Sequence, residues 1–297
     1  MICVFGATGR IGREVCNLLD QMQISYRAVS RDMTRAKAIV NAFPNKAGVP
    51  MAANMSEPGS VRAALHGASS VFLITEFSEG QTRLQKLVVD IALQSGVSRL
   101  VKVATMHRLV GQHSPVGVGR SHWEVEEYIR SRKLAYTFLH PTYFMQNLLD
   151  QAAPAIASGR PILLPFANST RIAMIDCRDI AAVAVEALIH DGHAQKTYEL
   201  TGPEAITFSE LAQLATQIYG KRVRYRAAPE WLAKIALRFK KPNQWERVHL
   251  SGMIHEVNAG CANSVSPVFF KLMKRPAISI SQFLVDYRLK MLGSASR

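Results

Sequence analysis

The feature that most constrains this chain is its opening, where a short apolar run, a glycine-spaced turn and an amphipathic stretch follow one another. The glycines are Gly6, Gly9 and Gly12, spaced G-x-x-G-x-x-G rather than G-x-G-x-x-G as in the general dinucleotide fingerprint. The order predicts a β-strand, a tight loop and a helix, whose unpaired N–H groups and positive dipole end suit a phosphate. A turn without a ligand is the alternative, because glycine serves many turns for conformational reasons alone.

The first 140 residues alternate short apolar runs with helical patterns, which is typical of an α/β fold. Predicted strands cover residues 2–5, 25–29, 49–52, 70–74, 99–104 and 135–139, and predicted helices cover residues 11–22, 35–42, 61–65, 82–95 and 121–132. Strands in such an alternation pair in parallel through right-handed crossovers. The sequence therefore predicts a Rossmann-like, doubly wound parallel sheet with a smaller C-terminal α/β lobe.

The domain division is predicted near the middle of the chain. Residues 1–150 are expected to form the dinucleotide-binding domain, which also receives strand and helix segments from about residues 170–200. Residues 151–297 are expected to form the smaller lobe, interleaved with the first domain and packed over the carboxyl ends of the strands, where open α/β sheets bind ligands. In this half, Asp176 is expected to cap a helix, and Thr207 with Glu210 has the pattern of a capping box.

The composition indicates where the protein acts and which kinds of partner it is expected to bind. No apolar run approaches the roughly 18 residues that a membrane span needs, and Met1 leads directly into the first predicted strand, so neither a membrane span nor a targeting segment is expected. The four cysteines are far apart, which favours reduced thiols and a cytoplasmic protein. The net charge is +14, and we interpret the strongly basic residues 221–248 as a solvated surface, because no nucleic-acid-binding pattern accompanies them. No metal site is predicted, and a homodimer is left open.

Arg31 stands at the end of the second predicted strand, where an NAD-selective site usually has an acidic residue for the ribose 2′-hydroxyl. A guanidinium instead suits a 2′-phosphate, which it binds through paired hydrogen bonds and charge. Lys37 follows closely and adds positive charge. These residues predict NADP(H) in preference to NAD(H), although Asp32, if turned inward, would bind an unphosphorylated ribose.

The later strand ends are expected to meet at the same crevice, lining the adenine, the pyrophosphate–ribose region and the nicotinamide in chain order. Past the sixth predicted strand, Pro141 fixes a loop whose aromatic side chains suit a flat conjugated acceptor, although packing in the core is an equal alternative. The predicted cofactor contacts of this group are Asn54, Met55, Ile74, Thr75, Ala104, Thr105, Pro141, Tyr143 and Phe144.

The Tyr-x-x-x-Lys pair that ordinary reductases of this kind use for proton transfer is missing from the chain. The corresponding spacing gives Val118 and His122. Valine cannot transfer a proton, whereas His122 can hydrogen-bond a ribose and act as an acid near neutral pH. The alternative is a histidine on the helix surface, paired with Glu126 at i,i+4. His122, which is also a predicted cofactor contact, and Tyr143 are the candidate catalytic residues.

The chain as a whole resembles the NmrA-like group of atypical short-chain dehydrogenases/reductases. The resemblance rests on the glycine turn, on Arg31 and on later segments, at residues 135–141, 144–147, 175–181 and 197–203. It implies a Rossmann-like domain and a small C-terminal domain, with NADP(H) across the strand ends. The branch that the chain resembles contains reductases of azo dyes, quinones and triphenylmethane dyes, in which a histidine or lysine matching His122 contacts the cofactor ribose. The same superfamily includes redox sensors and transcriptional co-regulators that bind the dinucleotide without turning it over.

We therefore expect an NADPH-dependent oxidoreductase that passes hydride to a flat conjugated acceptor, such as a quinone or an azo compound. A non-catalytic, NADP(H)-sensing regulatory protein is the alternative, because the catalytic tyrosine is missing. The chain also departs from the family pattern at Asn54, where aspartate is usual, and at His140, where arginine is usual. The pyrophosphate is expected to bind the turn residues Gly6, Thr8, Gly9, Arg10, Ile11 and Gly12.

Overall fold

The computed structural model describes residues 1–240 and 243–293. Its strands are β1 (Ile2–Phe5), β2 (Tyr26–Ser30), β3 (Gly48–Ala52), β4 (Ser70–Leu73), β5 (Arg99–Val103), β6 (Ala135–Pro141), β7 (Ile162–Leu164), β8 (Lys196–Leu200) and β9 (Tyr225–Ala227). Its helices are α1 (Arg10–Gln21), α2 (Met33–Asn41), α3 (Pro58–Leu65), α4 (Gln81–Gln94), α5 (Gly117–Arg130), α6 (Asn147–Gln151), α7 (Ala153–Ala157), α8 (Cys177–Ile189), α9 (Phe208–Tyr219), α10 (Glu230–Lys240), α11 (Gln244–Asn258), α12 (Val268–Met273), α13 (Ile280–Asp286) and α14 (Arg288–Met291). A 3₁₀ turn at His107–Leu109 follows β5.

Seven strands form one parallel sheet in the order β3-β2-β1-β4-β5-β6-β8. The chain builds outward from β1 to β3 and then restarts at β4 on the other side of β1, so the strand order reverses between β1 and β4. Because every pairing is parallel, all seven carboxyl ends lie along one edge. Ligands of such sheets bind at this edge, next to the reversal. The predicted Rossmann-like parallel sheet is confirmed.

Helices cover both faces of the sheet. One face, with Val4 and Phe72, packs against α1 and α8. The other face, with Phe5 and Leu100, packs against α3, α4 and α5. Strand residues alternate between two covered faces, so apolar side chains are needed at successive positions. This is the physical reason why the strands of the main sheet stand out in the sequence as short continuous apolar runs.

A third apolar cluster joins the smaller lobe to the carboxyl edge of the sheet. It combines Met106 and Leu109, which follow β5, with Phe166, Phe208 and Ile280 from the second half of the chain. Asp176 caps α8, and Thr207 with Glu210 caps α9 by a capping box, as the sequence predicts. None of the helices in the described parts of the chain is long and apolar enough to cross a membrane.

The lobe contains a second parallel sheet, made of β7 and β9, that the sequence did not predict. Each of these strands has three residues, and the segments pair only because the fold brings residues 162–164 and 225–227 together. Strand β8 and helix α8 follow residue 150 in the chain, yet they pack with the main sheet. The division into domains at residue 150 itself stays a prediction.

Helix α5 begins at Gly117, whereas the sequence predicted a start at residue 121. Glycine is a poor helix former, so Gly117 and Gly119 argued against a helix. In the fold, a Cβ at Gly119 would lie 1.9 Å from the carbonyl oxygen of Leu109. Tertiary packing therefore requires glycine at a helical position, and local propensity is overridden.

Candidate functional site

The glycine turn joins β1 to α1 at the point where the strand order reverses. Gly6 has a φ of +81°, a conformation that glycine adopts without steric cost. A Cβ at Gly6 would come 2.7 Å from the carbonyl oxygen of Ile74, and a Cβ at Gly12 would come 2.1 Å from that of Gly6. The first glycine thus permits the shape of the turn, and the third lets the helix pack directly onto it.

The N-terminus of α1 is left open toward the carboxyl edge of the sheet. Gly9 occupies the N-cap, and it has no side chain to accept a hydrogen bond from the helix. The first N–H groups of a helix have no partner within the helix, so here they are available to an anion, which the helix dipole also favours. Arg10 donates to Asn147 Oδ1 at 2.7 Å and pairs with Asp150, which connects the helix start to α6.

The end of β2 carries an arginine that is open to solvent. The Arg31 side chain is 78% exposed and lies 3.6 Å from the equally exposed Glu76 carboxylate. Exposed pairs of this kind are weak, so the guanidinium can exchange its partner for another anion. Asp32 accepts from the Thr34 N–H at 2.7 Å and caps α2, so one oxygen of its carboxylate is engaged at the start of that helix. Lys37 is exposed further along α2.

A cavity of about 860 Å³ lies at the carboxyl ends of β4, β5 and β6. The smaller lobe closes it on the opposite side with Phe166, with Leu232 from α10, and with Met253 and Val257 from α11. Its walls are largely apolar, with a few polar groups. Volume and lining are those of a site for a small organic molecule.

The structure divides the predicted site residues into two groups. Those that line the cavity are Ile74, Thr75, Ala104, Thr105, His122, Pro141, Tyr143 and Phe144. Those that lie outside its walls are Gly6, Thr8, Gly9, Arg10, Ile11, Gly12, Arg31, Lys37, Asn54 and Met55. Of the second group, Asn54 uses its side chain locally, accepting from the Ser56 N–H at 3.1 Å and donating to Glu57 at 2.8 Å.

Behind the cavity wall lies a cluster of buried ionisable side chains that the sequence analysis missed. Lys102 is fully buried where β5 packs under α5. Its Nζ lies 2.9 Å from His122 Nδ1 and 3.5 Å from Glu126 Oε1. Burial lowers the pKa of Lys102 to about 8, although the nearby Glu126 carboxylate favours the charged ammonium.

His122 is 7% exposed and belongs to this cluster, not to the surface of α5. Glu126, its i,i+4 neighbour, contacts Lys102, Arg130 and His140 instead. The alternative of a surface pair between His122 and Glu126 is therefore wrong. Burial, and next the charge of Lys102, hold the pKa of His122 well below its usual value, so the ring is neutral at neutral pH. Since Lys102 donates to Nδ1, we assign the ring proton to Nε2, from which the side-chain amide of Gln81 lies 3.2 Å away.

Tyr143 lies against the lobe side of the cavity. Its hydroxyl contacts Gln151, and its ring meets the Phe166 ring edge-on at a centroid distance of 5.9 Å. Burial raises the pKa of the Tyr143 phenol. The side chain therefore stays protonated, and it suits the role of a hydrogen-bond donor or an aromatic contact better than that of an acid.

The reversal of strand order at a glycine turn, with a closed cavity beside it, defines an α/β protein of the Rossmann-like class. Within that class the chain belongs to the NmrA-like family, whose sequence profile matches residues 1–272. This confirms the resemblance inferred from the glycine turn, Arg31 and the later segments.

Two relatives are similar over most of their length. An NAD(P)H azoreductase of Xenophilus azovorans is 35% identical over 238 residues, which are 80% of each chain. A (4-alkanoyl-5-oxo-2,5-dihydrofuran-3-yl)methyl phosphate reductase of Streptomyces griseus is 30% identical over 283 residues, 93% of this chain and 94% of the relative. The NADPH-dependent quinone oxidoreductase of Escherichia coli, solved with NADPH, shares the fold with a TM-score of 0.83 at 24% identity, covering 97% of this chain and 100% of that one. The first two are named as reductases and the third as an oxidoreductase.

Proposed function

We propose that this member of the NmrA-like family is an NADPH-dependent reductase that transfers hydride to a flat, conjugated and largely apolar acceptor, such as a quinone or an azo compound. The observation that carries the proposal is the apolar cavity at the carboxyl ends of β4, β5 and β6, beside the glycine turn. A dinucleotide that binds across this edge of a Rossmann-like sheet brings its reactive end to such a cavity. The reductase activities of the named relatives support the same chemistry.

The residues along the edge of the sheet fit a dinucleotide. The open N-terminus of α1 leaves N–H groups for a pyrophosphate, and Gly6, Gly9 and Gly12 allow the close packing of the turn that presents them. In the proposal, the pyrophosphate is also contacted by Thr8, Arg10 and Ile11. Arg31, with Lys37 behind it, would bind the 2′-phosphate, and for this reason we propose NADPH over NADH.

The nicotinamide, when bound, supplies the hydride. The task of the chain is to hold the ring and the acceptor in contact and to keep water away from them. In the proposal, Thr105, Pro141 and Phe144 contact the ring, and His122 contacts the cofactor at its nicotinamide end. The lobe residues Phe166 and Met253 close the opposite side, which excludes water from the path of the hydride.

The composition of the cavity walls indicates the class of acceptor. Tyr143, Phe166 and Phe77 contribute aromatic surface, and the α10 and α11 residues contribute aliphatic side chains. Aromatic walls bind flat π systems by stacking and edge contacts. A hydrophilic acceptor such as a sugar would leave most of its polar groups without partners here, and the cost of that desolvation excludes it.

Purified protein is expected to oxidise NADPH when quinones or azo dyes are added, and to do so faster than with NADH. The measurement is a panel of acceptors followed by the loss of NADPH absorbance, with the no-acceptor reaction as the baseline. Tight NADPH binding without turnover of any acceptor would contradict the proposal and support the dinucleotide-sensing regulator. The observation that favours this regulator is Val118, which stands at the position of the catalytic tyrosine.

Arg31→Ala is expected to weaken NADPH binding by about tenfold to a hundredfold and to leave NADH binding unchanged, because it removes a charged partner of the 2′-phosphate alone. Calorimetric titration of both nucleotides measures the effect. Arg62→Ala is the matched control, since Arg62 is an exposed arginine in the last turn of α3 that donates to Gln94. Equal losses for NADPH and NADH in the Arg31 variant would disprove the 2′-phosphate assignment.

Two further expectations remain proposals. Cys3, Cys16 and Cys177 are free and buried, and reduced thiols of this kind favour a cytoplasmic protein. Self-association into a homodimer is open to direct measurement by light scattering of the purified protein.

A further inference from the structure

A series of polar side chains connects the cavity to the surface through the protein interior. It consists of His122, Lys102, Glu126, His140 and His107, which we call the polar chain. His122 lines the cavity, the three central members are at most 2% exposed, and His107, in the turn after β5, is exposed. In this order, consecutive members are separated by 2.9, 3.5, 2.9 and 3.0 Å.

The hydrogen bonds of the polar chain meet at Glu126, which accepts from His140 on one side and from Lys102 on the other. Burial lowers the pKa of His140, so its ring is neutral. Its Nε2–H donates to Glu126 at 2.9 Å, which leaves Nδ1 to accept from the Nδ1–H of His107 at 3.0 Å. At the other end, the Lys102 ammonium donates to Nδ1 of His122. Each link therefore joins a group that can release a proton to one that can take it up.

We propose that the polar chain is a proton relay, which carries from solvent to the cavity the proton that an acceptor takes up together with a hydride. The inference rests on the reductase activity proposed above and extends it to the source of the proton. The usual source is not available, because Val118 stands at the position of the catalytic tyrosine. Lys102 and His140 are this chain's own means of replacing it.

Two other titratable side chains line the described part of the cavity, and both suit the role less well. Burial raises the pKa of Tyr143 and lowers that of His249 to about 4, so each resists the change of protonation that a proton donor must undergo. His122 differs from both because the Lys102 ammonium is hydrogen-bonded behind its ring. A proton that leaves Nε2 can be replaced at Nδ1 in the same step.

The transfer balances for an azo compound. Hydride adds to one nitrogen, the N=N π bond breaks, and its electron pair remains on the second nitrogen as an anion. The Nε2 proton of His122 passes to that nitrogen, and Lys102 returns a proton to Nδ1. Lys102 then regains its proton from water through His107, His140 and Glu126. The acceptor has gained one hydride and one proton and becomes a hydrazine.

The sharpest test replaces the exposed end of the polar chain. In His107→Asn, the side-chain amide can still donate to Nδ1 of His140, but it cannot pass a proton on. His107 is exposed and outside the cavity lining, so the fold and the binding of both substrates are expected to persist. His66→Asn is the matched control, because His66 is an exposed histidine at the end of α3, at the opposite edge of the sheet.

The readout compares two acceptors of different chemistry. An azo dye needs a proton with its hydride, whereas a cationic triphenylmethane dye accepts hydride at a carbocation and needs none. His107→Asn is expected to slow reduction of the azo dye by about tenfold and to leave reduction of the cationic dye unchanged. His66→Asn is expected to change neither. The relay would be overturned if His107→Asn reduced the azo dye as fast as the wild type does, or if it reduced both dyes more slowly by the same factor. A wild-type protein that reduces neither dye would overturn the proposed function and the relay with it.

A second measurement requires no turnover. Nitrogen NMR of the histidine rings in the cofactor-free protein is expected to find the proton of His140 on Nε2 and that of His107 on Nδ1. The same tautomer of His140 is expected in His107→Asn. A His140 ring protonated on Nδ1 would reverse the hydrogen bond and disprove the relay, whatever the activity of the protein.

Discussion

Gly12→Ala is expected to lower the affinity for NADPH by about a hundredfold, equivalent to about 3 kcal/mol of binding free energy. The added Cβ would lie 2.1 Å from the Gly6 carbonyl oxygen and 2.7 Å from the Gly6 carbonyl carbon. Both atoms belong to the backbone of the turn, so a side-chain rotation cannot relieve the contact. Either the turn or the start of α1 must move, and the N–H groups proposed for the pyrophosphate move with it.

Gly59→Ala is the matched control for this prediction. Gly59 lies in the first turn of α3, and a Cβ there meets no atom within 4 Å. Alanine is the better helix former, so this variant is expected to bind NADPH as the wild type does and to unfold at the same or a slightly higher urea concentration. Titration calorimetry gives the affinity, and urea unfolding separates a loss of binding from a loss of folding. Wild-type affinity in Gly12→Ala would disprove the pyrophosphate site.

Glu126→Gln is expected to lower the free energy of unfolding by about 3 kcal/mol at neutral pH. Glu126 is 1% exposed and is surrounded by Lys102, Arg130 and His140. Burial raises its pKa, but the hydrogen bond from His140 and the charges of Lys102 and Arg130 outweigh this and hold the pKa below its usual value. Glutamine retains the shape and an acceptor for His140 but removes the charge, so Lys102 loses its counterion in the interior.

The double variant Lys102→Met with Glu126→Gln provides the control. It removes the two buried charges together, and methionine retains the apolar contact that the lysine stem makes. Most of the lost stability is therefore expected to return. Urea unfolding of the wild type, both single variants and the double variant gives the four free energies of a double-mutant cycle. A double variant as unstable as Glu126→Gln alone would show that glutamine disturbs packing rather than charge.

The pH dependence of the free energy of unfolding tests the lowered pKa of Lys102, which belongs to the same cluster. Its pKa falls from 10.5 in the unfolded chain to about 8 in the fold, so between these values the unfolded state binds more protons. Stability of the wild type relative to Lys102→Met should therefore rise with pH across this window, by roughly 3 kcal/mol at most. Below the window, Lys102 is protonated in both the folded and the unfolded state, so the difference no longer changes with pH through this residue. A difference that does not change with pH would contradict the lowered pKa.

The same cluster illustrates what could not be predicted from the sequence. Lys102 lies in an apolar strand, and alternation would place a lone lysine of this kind on a surface. The available signal was that β5 runs in the middle of a sheet covered on both faces, where a lysine has no route to solvent. The partners of Lys102 come from α5 and β6, and their distances depend on how these elements pack. His122 was found by its spacing, but its burial and its contact with Lys102 were not.

The smaller lobe likewise contains parts of the fold that could not be predicted from the sequence. Strands β7 and β9 have no sequence pattern of their own, because three residues are too few to carry a periodicity. The sequence predicted a lobe over the carboxyl ends of the strands, but the α10 and α11 residues of the cavity walls were not among the predicted site residues. These segments acquire their positions by packing over the carboxyl edge of the sheet, and this long-range contact leaves no local signature.

By itself, the sequence determined the parallel sheet, the glycine turn and the position of Arg31, because each depends on residues that are close in the chain. Apolar runs define strands, glycines permit one turn, and a strand end in a parallel sheet must lie at the ligand edge. Only the tertiary structure decided which ionisable groups share the interior behind that edge. Contacts such as that between Lys102 and His122 are set by the packing of β5 against α5, and burial then determines which of these groups carries a charge.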